Sequence, residues 1–197
     1  MIFQLSAMVC FLCSAVFHLG NCHSQAWCTY LQRVDYAGIT TLIYGSAVPI
    51  MYYGFMCRPT TLVVWMVIIT AVAACNLTAM LTLKVYTEST PLAYKLRSGG
   101  FCCLAALECV ALTYSVATAP VGLWGGAWPW FLATMCGYLT GATLYAFNFP
   151  ECLEPGRFDL ALNSHNWMHV FVILAACCHA KGVGELFSAR AGIQCLG

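Results

Sequence analysis

Charge is what this sequence has least of. Its 197 residues include 8 lysines and arginines, 7 aspartates and glutamates and 5 histidines, so that only 8% of the residues are charged. Soluble domains carry about 25% charged residues, whereas 61% of this chain is hydrophobic. Because so little polar material cannot cover a water-soluble globule, the composition predicts a membrane protein. The net charge of +1 argues against nucleic acid as a partner, since that partner requires a basic surface.

Internal repeats and low-complexity linkers are also lacking, and a single membrane domain is predicted over residues 1–197. A membrane helix needs about 20 mostly apolar residues. Residues 1–17 have the apolar length of a signal peptide but no basic start, which favours a retained span. Six runs meet the length rule, near residues 1–19, 36–56, 61–82, 99–118, 128–147 and 166–187. The predicted fold is therefore all-α, a polytopic transmembrane helical bundle with six spans.

Cysteine, by contrast, is abundant, with 14 residues. Most of them lie inside apolar runs, where cysteine behaves as a small hydrophobic side chain. The cysteines outside those runs are Cys22, Cys28, Cys57, Cys152 and Cys195. These positions argue against a disulfide framework. Cys10 and Cys13 form a lone CxxC, which is weak evidence for a zinc site.

Loop charges orient the predicted bundle, because alternate loops of a six-span chain lie on the same side of the membrane. The basic residues of one side are Arg33, Lys84, Lys95, Arg97 and Arg157. Those of the other side are Arg58, Lys181 and Arg190. The positive-inside rule places the first set in the cytosol, and both ends of the chain then face outward.

Several of the few titratable groups fall on the cytosolic side when the spans are counted. His18 lies at the end of the first span, Asp35 just before the second, and His165 and His169 at the start of the sixth. Residues four apart are about 40° apart around a helix axis and about 6 Å along it. His165 and His169 therefore point the same way, and so do Ser14 and His18.

Two imidazoles at this spacing can bind one Zn²⁺, as in helical HExxH sites. A third imidazole from another helix would leave the fourth position for water, which is typical of a catalytic zinc. An isolated HxxxH pair is more often polar side chains at the membrane interface. The addition of His18, Ser14 and Asp35 on the same face favours a metal site formed by His18, His165 and His169.

The remaining polar groups in or near the spans are not predicted to join this site. His23 lies in a loop, and His179 is about 15 Å further along the helix than His169. Glu108 is the acid inside a predicted span, and although such carboxylates are functional candidates, it receives no site role. Asn163 or Ser164 is expected to cap the sixth helix.

Several motifs occur together in a specific order. They are SxxxH (Ser14 and His18), "CHS" (22–24), "VDYAGITTLIYGSAVPIMYY" (34–53), "YLTGATLYAFNFPE" (138–151) and "PGRFDLALNSHNWMH" (155–169). In combination they resemble the progestin and adipoQ receptor family, which includes the adiponectin receptors and is related to the bacterial hemolysin III proteins. The resemblance extends from about residue 7 to residue 187.

This resemblance implies a seven-helix membrane fold whose N-terminus lies in the cytosol. It also implies a Zn²⁺ near the cytosolic face, held by three histidines that correspond to His18, His165 and His169. The family's aspartate that holds the zinc water corresponds to Asp35, and its SxxxH serine to Ser14. Met1 opens directly into what resembles the second family span. We therefore expect a partial gene model, a short isoform or a chain that functions with six helices.

The resemblance gives two hypotheses for function. In the first, the protein is a ceramidase-like amidohydrolase of the plasma membrane or an endomembrane, with Asp35 as general base and Ser14 assisting oxyanion stabilisation. Its partners would be membrane lipids such as ceramide, with an extracellular protein or steroid as a signalling ligand. In the second, it is a non-enzymatic receptor or scaffold whose zinc is structural. The same ligands serve both hypotheses.

Overall fold

The computed structural model describes residues 1–88, 90–193 and 195, and these residues form helices and turns without a strand. Six α-helices follow one another, with a short 3₁₀ helix at Lys84–Thr87 between the third and fourth. They are α1 (Ile2–Gly20), α2 (Gln25–Phe55), α3 (Pro59–Thr82), α4 (Pro91–Thr118), α5 (Trp128–Ala146) and α6 (Ser164–Ala191). The predicted all-α fold is confirmed, with one helix over each predicted span.

Four of the helices, α1, α3, α4 and α6, are long and apolar enough to cross a membrane by length and composition. Large apolar side chains such as Val63 and Val67 are exposed along α3. Water would disfavour such a surface, whereas lipid would cover it. The described residues therefore have the form of an integral membrane helical bundle.

Two helices begin earlier than their apolar runs. α2 begins at Gln25 rather than near residue 36, because the Ser24 hydroxyl caps it by accepting a hydrogen bond from the Trp27 amide at 3.2 Å. α4 begins at Pro91 rather than near residue 99, where the Thr90 hydroxyl accepts from the Ala93 amide at 3.1 Å. Capping residues of this kind start helices whether or not the first turns are apolar, so Asp35 lies inside α2 rather than before it.

The chain divides into two compact units, and each is described by itself. The first contains residues 1–119 and the described residue Cys195. Helix α2 is its centre, since α1, α3 and α4 all pack against it. Its buried apolar core joins α2, α3 and α4 and consists of Ala47, Met51, Phe55, Ile69, Ala73, Leu104 and Ala111.

Helices α1 and α2 approach closely at small residues. A Cβ atom built on Gly38 would lie 3.1 Å from the Cα atom of Cys10, and one built on Gly45 would lie 2.0 Å from Ser6 Oγ. Small residues at a helix crossing allow the two backbones to come together, a common means of association inside a membrane. This crossing holds α1, and with it Ser14 and His18, against α2.

One disulfide is present in this unit, between Cys57 and Cys195, which are 138 residues apart in sequence. The other cysteines within the described residues have free thiols. The argument from the sequence against a disulfide framework thus fails for one pair of cysteines. The disulfide joins two of the cysteines outside those runs, a pairing that their spacing in the sequence could not reveal.

The second unit contains residues 120–193 and consists mainly of α5 packed against α6. A Cβ atom on Gly137 would lie 3.0 Å from Ala175 Cβ, and one on Gly141 would lie 3.3 Å from the Met168 carbonyl oxygen. The two helices therefore touch through their backbones along one stripe of α6. The prediction of a single domain over residues 1–197 stays a prediction.

Candidate metal centre

The first two turns of α6 carry the histidine pair of the second unit. Asn163 is the N-cap, and its side-chain oxygen accepts a hydrogen bond from the Asn166 amide at 2.9 Å. This decides between the two caps expected from the sequence in favour of Asn163. The Nε2 atoms of His165 and His169 lie 3.1 Å apart, with ring centroids separated by 4.7 Å. Both rings are partly buried.

The spacing of this pair suits a shared ion. Two nitrogens bound tetrahedrally to one Zn²⁺ at about 2.1 Å are about 3.4 Å from each other. The His165 and His169 nitrogens already approach that separation without a change of helix geometry. Either ring can be the hydrogen-bond donor of the pair, depending on its tautomer. The donor set therefore fits a divalent metal of the kind that imidazole prefers.

The first unit brings together the other three predicted residues. The Asp35 carboxylate on α2 lies close enough to the Ser14 side chain and to His18, both on α1, to interact with them electrostatically. Asp35 and Ser14 are partly buried, whereas His18 is exposed. The predicted SxxxH face of α1 thus meets Asp35 on α2, which is an arrangement that counting spans alone could only suggest.

The two units carry different chemical groups. In the second unit, two neutral imidazoles can donate electron pairs to a metal. In the first unit, a carboxylate with an oriented hydroxyl can accept a proton, and a third imidazole lies close to it. The assembly of His18, His165 and His169 into one three-histidine site stays a prediction.

The residues excluded from the site on sequence grounds have other surroundings. His23 packs its ring edge-on against Trp27, with centroids 6.3 Å apart. His179 is 1% exposed and packs edge-on against Phe131 inside the second unit, with centroids 5.2 Å apart. Glu108 accepts a hydrogen bond of 2.9 Å from Ser46 Oγ across α2 and α4. The partly buried carboxylate thus has a specific partner within the first unit.

Sequence patterns do not single out Glu151, yet it contacts the start of α6. Its two carboxylate oxygens accept hydrogen bonds from the main chain and the hydroxyl of Ser164. The contact crosses the turns of residues 147–163, and periodicity carries no information about such a segment. In the sequence, Glu151 is only an acidic residue that precedes a helix-capping residue, and this pattern is too common to predict a contact.

Comparison with known proteins finds one family model and several related membrane proteins. The family model described as haemolysin-III related matches residues 1–180. Heptahelical transmembrane protein 3 of Arabidopsis thaliana is 32% identical over 184 residues, which cover 91% of this chain and 52% of that protein. The adiponectin receptor protein of Drosophila melanogaster is 33% identical over 186 residues, covering 93% and 41%.

A rice relative is covered more completely. Heptahelical transmembrane protein ADIPOR2 of Oryza sativa subsp. japonica is 32% identical over 196 residues, covering 96% of this chain and 82% of that protein. The chain spans about half the length of the Arabidopsis and Drosophila relatives. The similarity includes both the SxxxH segment and the histidine pair of α6, since the family match runs through them.

Proposed function

Because the chain belongs to the haemolysin-III-related family of receptor-like membrane proteins, we propose that it is a zinc-dependent hydrolase of lipid amides. His18, His165 and His169 would hold the Zn²⁺. The membership confirms the resemblance predicted from the motifs. The metal, its three-histidine set and the hydrolytic activity are the parts that we propose.

The observation that carries the proposal is the facing pair of imidazoles on α6, whose Nε2 atoms are 3.1 Å apart. Two such groups are unusual in a chain that is 8% charged, and their separation suits a common ligand ion. A third imidazole gives a site with one open position, which is the pattern of catalytic rather than structural zinc.

The residues of the first unit would supply the acid–base chemistry. A bound Zn²⁺ supplies Lewis-acid chemistry that makes water more acidic and polarises a carbonyl oxygen. Asp35 would accept a proton from the attacking water as general base and later deliver it to the leaving amine. Ser14 lies close to the Asp35 carboxylate and would hold it in the orientation for that transfer by donating a hydrogen bond.

The substrate class follows from the surroundings of the helices. Exposed apolar side chains, such as Leu5, Met8 and Leu12 on α1, indicate contact with lipid tails. A long-chain amide such as ceramide could reach the site from the bilayer with its amide near the polar ends of α1 and α6. A water-soluble amide would gain nothing from binding along this apolar helix surface.

The orientation of the site towards the cytosol has support from the disulfide. Structural disulfides persist in oxidising compartments. Cys57 lies between α2 and α3, and Cys195 follows α6, so both belong to the side that the loop charges place outside. His18 lies near the C-terminal end of α1 and His165 near the N-terminal end of α6. The loop charges place both of these helix ends on the other side of the membrane from the disulfide, so the two histidines would face the cytosol in the plasma membrane or an endomembrane.

A receptor function is the second candidate, and the names of the relatives favour it. The Drosophila relative is an adiponectin receptor protein, and a Caenorhabditis elegans relative, 31% identical, is a progestin and adipoQ receptor-like protein. In this case an extracellular protein or a steroid would be the ligand, and the zinc would hold helices together without performing chemistry.

An amidase assay separates these functions. Purified protein in mixed micelles with ceramide is assayed for release of free fatty acid, with zinc content measured on the same samples. We expect Asp35→Asn to lower the rate by about 10²–10⁴-fold, as for loss of a general base, while zinc is retained. Asp159→Asn, in an exposed turn, is the matched control. Equal inactivity of wild type and Asp35→Asn at full zinc would favour the receptor.

A further inference from the structure

The carboxylate of Glu151 is bound to the first residue of α6 by two hydrogen bonds. Its Oε2 atom accepts from the Ser164 amide at 2.7 Å, and its Oε1 atom accepts from the Ser164 hydroxyl at 2.5 Å. Ser164 is only 2% exposed, so water does not replace these bonds easily. Glu151 therefore holds both polar groups at the start of the helix that carries the histidine pair.

This contact meets a physical need of the helix. The first amide groups of a helix have no partner within it, and the ends of helices fray for that reason. Asn163 satisfies the Asn166 amide, and Glu151 satisfies that of Ser164. A negative charge at this end is also stabilised by the helix dipole. The first turn is thus closed by two side chains rather than one.

The ionised form of Glu151 is the favoured one. Desolvation raises the pKa of its carboxyl, but hydrogen bonds from the Ser164 side chain and from main-chain amides outweigh this, and the pKa lies below its usual value. The arginine of the same segment, Arg157, pairs with Glu154. The carboxylate of Glu151 therefore interacts with the start of α6 rather than with Arg157.

We propose that Glu151 is a positioning residue for the histidine pair: by binding Ser164 through two hydrogen bonds, it fixes the first turn of α6 and the direction of His165. His165 follows Ser164 directly, and its Nε2 atom must stay near that of His169 for the two to share an ion. The proposal rests on the proposed function in so far as the shared ion is zinc. Carboxylates that hydrogen-bond directly to a metal ligand change metal affinity by about 10–100-fold when removed, and Glu151 acts on the residue next to His165.

Two readouts on the full chain in detergent test this role. The first is zinc affinity, measured by competition with a chromophoric chelator. The second is amide hydrogen exchange of residues 164–167, measured without added metal. We expect Glu151→Ala to weaken zinc binding by about 10–100-fold and to speed exchange at Ser164 by about tenfold. Glu151→Gln keeps one acceptor oxygen and should give intermediate values.

Glu154→Ala is the matched control, because Glu154 is an exposed acid of the same segment that pairs with Arg157 instead of α6. It should leave both readouts at the wild-type level. Exchange at 164–167 that is unchanged in Glu151→Ala would overturn the positioning role, as would faster exchange with undiminished zinc affinity. A wild-type chain that binds no zinc would overturn the proposed function, and the exchange measurement would still decide whether Glu151 fixes the helix start.

Discussion

The disulfide between Cys57 and Cys195 is expected to contribute to the stability of the fold. It closes a loop whose ends are 138 residues apart. In the chain-entropy treatment, a closed loop of this length restricts the unfolded chain by about 5 kcal/mol at 25 °C. This free energy is an upper limit for this protein. Membrane helices remain formed in detergent, so the unfolded chain has less conformational entropy to lose than a random coil. We expect Cys57→Ser/Cys195→Ser to be clearly less stable than wild type.

The assay is thermal unfolding of purified protein in detergent, with mass-spectrometric thiol counting on the same samples. Reductant should lower the unfolding temperature of wild type and leave the double variant unchanged. Cys152→Ser removes an exposed free thiol and should behave as wild type. A double variant that unfolds at the wild-type temperature would show that the disulfide does not stabilise the fold, and reaction of both thiols with maleimide in unreduced wild-type protein would show that the disulfide does not form.

Three further predictions concern other contacts. Ser46→Ala removes the 2.9 Å hydrogen bond to Glu108 and should cost about 1–3 kcal/mol of stability, whereas Ser46→Thr keeps the hydroxyl and should cost less in the same unfolding assay. Gly45→Ala places a Cβ atom 2.0 Å from Ser6 Oγ and should cost about 1–3 kcal/mol, whereas Gly99→Ala meets nothing within 4 Å; equal stability of the two would be inconsistent with a close α1–α2 crossing. The pKa of Glu151 is lowered in the folded protein from its usual value of 4.5. The contribution of its carboxylate to folding stability should therefore be fully present above pH 4.5 and be lost as the pH falls through the pKa of the folded protein. The difference in stability between wild type and Glu151→Gln should accordingly narrow as the pH falls below 4.5.

Local patterns predicted most of the helical fold. Apolar runs located all six helices, since a helix in lipid must be apolar along its whole embedded length. They misjudged where α2 and α4 begin, because those turns lie beyond the apolar part and depend on the caps Ser24 and Thr90. A hydropathy window detects burial in lipid, not the end of the hydrogen-bonded helix.

Contacts distant in sequence were harder to predict. Cys57 and Cys195 are 138 residues apart in the sequence, and no spacing rule predicts which cysteines pair at such a separation. Glu151 reaches Ser164 only through the turns of residues 147–163, so no helical or strand period links them. The i, i+4 pair of His165 and His169 was predictable, because helix geometry alone brings two such side chains together.

The metal content of the purified chain shows directly whether His18, His165 and His169 form a zinc site. We expect about one zinc per chain in wild type, loss of that zinc in His169→Ala, and full retention in His23→Ala, whose ring packs on Trp27. X-ray absorption of the bound metal should then show nitrogen ligands at about 2.0–2.1 Å. A metal-free wild-type protein, or a His169→Ala variant that keeps its zinc, would contradict a three-histidine zinc site.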